Sequence, residues 1–173
     1  MNQAKMTRKE RKEFKEKQKE EIEELFRKID TDDSGEIDEE EFIAGMRKQF
    51  RVENTKNESR YDSIFVTLLH MADRGSIFRR KNGALDLKEF TKIVQAFPEN
   101  YDSLEPQEII GYTLFNMIDG NGNGTISKSE FTKFCKQMGK SSSESKAQFK
   151  DIDTDKSNGI SKEEFVSWFY NLE

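Results

Sequence analysis

Apolar residues recur at helical spacing ahead of four polar stretches. The first stripe is Ile22, Leu25, Phe26 and Ile29, and the second is Phe65, Leu68, Leu69 and Ala72. The third is Leu114, Phe115 and Ile118, and the fourth Phe149 and Ile152. Intervals of three, four and seven residues put each set on one helix face. The polar stretches begin at Asp30, Asp73, Asp119 and Asp153 and end in Glu41-Phe42, Glu89-Phe90, Glu130-Phe131 and Glu164-Phe165. New apolar stripes follow each of them: Met46; Ile93 and Val94; Phe134 and Cys135; Trp168 and Phe169. The pattern predicts an all-α fold of eight helices in four helix–loop–helix units.

Three breaks divide the repeats. Residues 96–103, with Pro106 just beyond, join two halves, because proline disfavours helix before it and Ser103 can cap a new helix. Gly139 can end one helix, and Ser141 with Glu144 can open the next as a capping box. Residues 52–59 separate the first two units. The expected organisation is a charged helical extension over 1–20, a first pair of units over 21–97 and a second pair over 104–173.

Composition changes this picture in two ways. Charged residues make up 36% of the chain and hydrophobic ones 33%, a balance that leans toward disorder, but 14 Phe supply the means to build a small core. The net charge is −5, which argues against a surface built for nucleic acid or anionic membrane, although residues 1–20 carry eight Lys/Arg against four Glu. That run reads as a solvated helix held by pairs such as Glu13 with Lys17. Cys135 is the one cysteine, so no intrachain disulfide forms and a reducing, cytoplasmic setting is expected. No apolar run approaches the roughly 20 residues that span a bilayer.

The candidate chemistry lies in the polar stretches. A hard dication such as Ca²⁺ takes six to eight oxygen ligands, and a 12-residue loop supplies them from positions 1, 3, 5, 7, 9 and 12 if position 6 permits a sharp turn. Asp119 to Glu130 meets every term of that pattern, with Asp119, Asn121, Asn123, the Thr125 carbonyl and bidentate Glu130 as ligands and Ser127 acting through water. In the first loop Asp30, Asp32, Ser34, the Glu36 carbonyl, Asp38 and Glu41 are the expected ligands. The fourth loop offers Asp153, Asp155, Ser157, the Gly159 carbonyl and Glu164, with Asn158 where glycine is usual. Asn tolerates a positive φ better than most residues, so the turn stays feasible.

The second loop departs from the rule. Counting back from Glu89 puts Phe78 and Arg80 at positions 1 and 3, and counting from Asp73 gives 17 residues. The surplus around Ser76–Lys81 brings three positive charges, so this loop is expected to hold no metal.

On these residues the four units resemble EF-hands, over roughly residues 20–172. Loops one, three and four intact with loop two degenerate is an order similar to sarcoplasmic calcium-binding proteins, calerythrin and the calcium-regulated photoproteins. The resemblance implies two packed EF-hand pairs, with short two-residue antiparallel β pairings between neighbouring loops through Ile37, Leu85, Ile126 and Ile160. It also implies cytosolic calcium buffering at three sites, with Mg²⁺ as a competitor.

A calcium sensor that shows an apolar face to a target protein is the alternative, and a photoprotein-like ligand carrier, with His70 and Trp168 at a pocket, is a third. The Met residues beyond the start (Met46, Met71, Met117, Met138) and Cys135 read as core. A monomer is expected. One histidine in the whole chain leaves no nucleophile–base constellation, so catalysis is not expected.

Overall fold

The computed structural model describes residues 7–56, 58–73, 82–98 and 103–171. Among these residues eight helices follow in chain order: α1 (Arg8–Ile29), α2 (Glu39–Phe50), α3 (Glu58–Ala72), α4 (Leu87–Gln95), α5 (Pro106–Ile118), α6 (Lys128–Gln137), α7 (Ser142–Ile152) and α8 (Lys162–Tyr170). Two short strands, β1 (Thr125–Ser127) and β2 (Gly159–Ser161), lie in the third and fourth loops.

Capping explains where most of these helices begin. Thr7, Asp38, Asp86, Ser127, Ser141 and Ser161 each accept a hydrogen bond from the third helical residue, a Glu whose side chain reaches back to the cap. Helix α5 starts differently from the expectation at Ser103. Pro106 occupies its first position, where a missing N–H costs nothing, and Glu105 precedes it with its own N–H donating to Glu108 at 3.0 Å. Gly139, at φ +74°, ends α6 as expected, its N–H donating to the Lys136 carbonyl while that of Lys140 donates to Cys135.

The apolar stripes converge on one phenylalanine-rich core. Phe42, Phe65, Phe90, Phe115, Phe131 and Phe165 are fully buried. Edge-to-face contacts, favoured by the ring quadrupole, join Phe26 to Phe90, Phe115 to Phe165 and Phe131 to Phe149. Cys135 and two of the methionines, Met46 and Met71, are buried in it. Met117 packs against the core, but Met138, read from the sequence as core, is 47% exposed because it lies just past the end of α6.

Loop pairing is uneven. In the second half β1 and β2 form an antiparallel ladder of three residue pairs centred on Ile126 and Ile160, one residue longer than expected. In the first half Ile37 and Leu85 form an isolated bridge, with N–H to carbonyl distances of 2.9 and 2.8 Å. Asn116 of α5 donates to the Ala96 carbonyl at 2.8 Å and so ties the two halves together.

Arg8–Ile29 is one continuous helix, exposed along residues 8–21. Its ion pairs include Lys9–Glu13, Lys12–Glu16 and Lys17–Glu21, so Glu13 and Lys17 pair with other neighbours rather than with each other. Among the described residues no helix is long and apolar enough to cross a membrane.

Candidate metal centres

Each loop hangs between a helix that delivers position 1 and a helix that delivers position 12. Position 1 follows the last turn of α1, α3, α5 or α7, where helix packing buries it. Asp30, Asp73, Asp119 and Asp153 are 6, 2, 7 and 9% exposed. Position 12 is the third residue of the exiting helix, held there by its capping box with position 9. The glutamate that closes the loop therefore also starts the helix.

Its two oxygens divide the work. In the first loop Glu41 Oε2 accepts from the Asp38 N–H, while Oε1 crosses the loop to the Thr31 N–H at 2.7 Å. In the fourth, Glu164 Oε2 accepts from the Ser161 N–H at 2.9 Å and Oε1 from the Thr154 N–H at 2.8 Å. In the third, Glu130 Oε2 accepts from the Ser127 N–H and Oε1 from the Asn121 amide at 2.8 Å. Burial pushes the Glu164 carboxyl up, but donors from Ser161, Thr154 and Asp155 outweigh it and hold it down at about 2. Glu41 and Glu130 are lowered by the same competition between burial and hydrogen bonds.

The position 1 carboxylate organises the turn from inside. Its Oδ2 accepts from the N–H of position 6: Gly35 at 3.0 Å, Gly124 at 2.8 Å and Asn158 at 3.2 Å. Its Oδ1 accepts from the N–H of position 5: Ser34 at 3.0 Å, Asn123 at 3.2 Å and Ser157 at 3.0 Å. Position 6 needs a left-handed backbone, at φ +83° in Gly35, +85° in Gly124 and +68° in Asn158. Position 4 needs one too, at φ +57° in Asp33, +69° in Gly122 and +59° in Lys156. The sequence reading attended to the first of these turns and missed the second, although Gly122 signals it.

The expected ligands sit as follows. Asp30, Asp32 and Glu41 bring carboxylate oxygens within 4.8 Å of one another, and so do Asp153, Asp155 and Glu164. The Ser34 hydroxyl lies 2.8 Å from the Glu36 carbonyl, and that of Ser157 2.9 Å from the Gly159 carbonyl. Asp38 uses Oδ1 to cap α2 through the Glu41 N–H. The third loop replaces carboxylates by the amides of Asn121 and Asn123, and the Asn123 Oδ1 accepts from Thr125. Among the described residues there are thus two acidic clusters, in loops one and four.

These donors fit calcium. They are hard oxygens throughout, gathered on one loop, and the ion pairs formed among the described residues take in none of the clustered carboxylates. Three like charges held this close repel one another, and a dication removes that repulsion.

The second loop shares more of this frame than the sequence suggested. Asp73 Oδ2 accepts from the Gly83 N–H at 3.1 Å, and Asn82 Oδ1 accepts from the Ala84 N–H at 3.3 Å. Gly83 has φ +77°, and Asp86 with Glu89 forms the capping box of α4. Asp73 therefore takes position 1 and Gly83 position 6, so the longer of the two counts is the physical one. The surplus segment Ser76–Lys81, including Phe78 and Arg80, lies outside the described residues. Asn82 also donates to the Glu36 side chain at 2.7 Å, which braces the first loop against the second.

Known proteins agree with this geometry. Residues 21–49 match the EF hand domain family, and residues 111–170 match the EF-hand domain pair family. Calcium-dependent protein kinase 11 of Oryza sativa subsp. japonica is 27% identical over 145 residues, which are 84% of this chain and 22% of the kinase. Calcium-binding protein CML19 of Arabidopsis thaliana is 27% identical over 149 residues, 84% of this chain and 78% of that protein. Troponin C, isoform 2, of Caenorhabditis elegans is 29% identical over 110 residues, 64% of this chain and 61% of that protein. The chain spans about a fifth of the kinase's length and under two thirds of the troponin's. Helix–loop–helix units closed by a terminal glutamate, and matches on both halves of the chain, place it in the EF-hand family of calcium-binding proteins.

Proposed function

We propose that the chain binds three calcium ions, one each in Asp30–Glu41, Asp119–Glu130 and Asp153–Glu164, and serves chiefly as a cytoplasmic calcium buffer. The observation that carries this reading is the shared frame of the three loops: a buried Asp at position 1 organising the turn, and a glutamate at position 12 bridging both loop ends. When bound, calcium supplies a dication for the oxygens to wrap. The chain's own part is to aim those oxygens and to keep the closing glutamates, Glu41, Glu130 and Glu164, ionised. The filled phenylalanine core favours a buffer, because a packed core of rigid rings opens less readily than a methionine-lined one. The lone Cys135 suits a reducing compartment.

The sensor reading draws its support from Met138, exposed at the edge of an apolar cleft. Isothermal titration with Ca²⁺, with and without Mg²⁺, tests the proposal and should give a stoichiometry of three, with Mg²⁺ lowering the apparent affinity. A dye for exposed apolar surface separates the two readings. A large calcium-dependent gain with little response to Mg²⁺ would reject the buffer.

A further inference from the structure

Helix α8 begins in the fourth loop and ends against the other half of the molecule. Glu164 is its third residue, and Trp168 and Phe169 lie in its last turn. A helix C-terminus carries unpaired carbonyls and a partial negative charge, which a nearby cation stabilises. Helix α8, like α5, has no basic residue in its own last turn, whereas α1, α2, α4, α6 and α7 each have one or more. Its cation comes from α3. Arg60 donates from Nη2 to the Phe169 carbonyl at 2.8 Å and lies 5.9 Å from the centre of the Phe169 ring.

One and two turns further along α3, Ile64 and Thr67 face Leu114, Phe134 and Trp168 across a cleft of about 220 Å³. The first pair thus covers one side of an apolar face of the second.

We propose that Arg60 is a latch that holds α3 over this face, and that calcium in the fourth loop and closure of the latch strengthen each other. The wrapped loop, with Glu164 Oε1 on the Thr154 N–H, and the closed latch occur together at the two ends of a nine-residue helix. At 1.5 Å per residue those ends are only about 14 Å apart, and a regular helix this short moves as one piece. Coupling between binding events is reciprocal, so a latch that favours the wrapped loop is itself favoured when the loop fills. Calcium then closes the cleft instead of opening it, the opposite of a sensor.

The inference rests on the calcium reading of loop four, and the test keeps the two apart. In the whole wild-type chain, calcium should lower quenching of Trp168, the one tryptophan, by acrylamide. In Arg60→Gln, folded by far-ultraviolet circular dichroism, the calcium dependence of Trp168 emission should shift to about five-fold higher concentration, the lower end of usual couplings. Quenching in the loaded state should rise, and the first loop should titrate as before.

An Arg60→Gln chain matching wild type in both readouts overturns the latch. So does a wild-type chain whose Trp168 becomes more quenched on binding calcium, a result that stands even if the variant fails to fold. A wild-type chain that gives no calcium titration at all would instead sink the reading of the loop.

Discussion

Gly45 sits inside α2, where glycine is ordinarily a liability. A Cβ built on it would meet Ile29 Cγ1 at 2.7 Å, Cδ1 at 2.9 Å and Cγ2 at 3.0 Å. Two opposing effects follow from Gly45→Ala. Alanine in an exposed helix interior gains about 1 kcal/mol in propensity. Overfilling a packed site costs about 1–3 kcal/mol. Here the second effect wins, because every close contact is to one β-branched side chain that is 4% exposed and stiff at χ1. Ile29 cannot turn aside, so α1 must shift against α2.

A net loss of about 1 kcal/mol should lower the thermal midpoint by about 2–4 °C in a chain of this size. Ile29 directly precedes Asp30, so the shift also reaches the first loop, and calcium affinity there should fall while the fourth loop stays unchanged. Calcium-free thermal unfolding read by circular dichroism, followed by calorimetric titration, measures both. A midpoint that rises, as propensity alone would give, would refute the packing argument.

Asn158→Gly should stabilise the chain by about 1 kcal/mol and tighten the fourth site, since φ +68° strains any residue with a Cβ; an unchanged titration would count against strain there. Among the described residues the buried Tyr170 hydroxyl has no hydrogen-bond partner, so Tyr170→Phe should raise stability by about 1 kcal/mol, and a lower thermal midpoint would contradict this. Burial, and then Glu108, push the Tyr170 hydroxyl up to about 12. The unfolded chain gives up this proton near its ordinary value of about 10, so the folded state should lose stability from pH 10 to 12, and Tyr170→Phe should lessen that loss in alkaline melts. Loop one offers carboxylates at Asp30, Asp32, Asp38 and Glu41, whereas loop three offers Asp119 and Glu130; site-resolved titration should find loop three weakest, and its filling first would reverse the electrostatic ranking.

The sequence was most informative where the physics is local. The helix stripes, the capping box at Ser141 with Glu144, and the alternating spacing of the oxygen donors all depend on neighbours within about a dozen residues. The lapses have particular causes. Ser103 was a plausible cap, but Pro106 opens α5. Met138 continued an apolar pattern past the end of α6 and so lies exposed. Position 4 was overlooked because Asp33 and Lys156 do not advertise a left-handed turn as a glycine does.

The second loop shows the boundary between the two kinds of information most directly. Counting residues left two frames open, one starting at Phe78 and one at Asp73. The bond from Gly83 to Asp73 decides between them, because a hydrogen bond in space is indifferent to how many residues lie between its ends. The sequence alone determined that helix–loop–helix units recur along the chain and that carboxylates gather in loops one and four, since backbone winding and short-range spacing dictate both. Tertiary structure alone decided that Gly45 must lack a side chain against Ile29, and that Arg60 meets a carbonyl 109 residues away. Those contacts arise from how finished helices pack, and packing leaves no periodic trace along the chain.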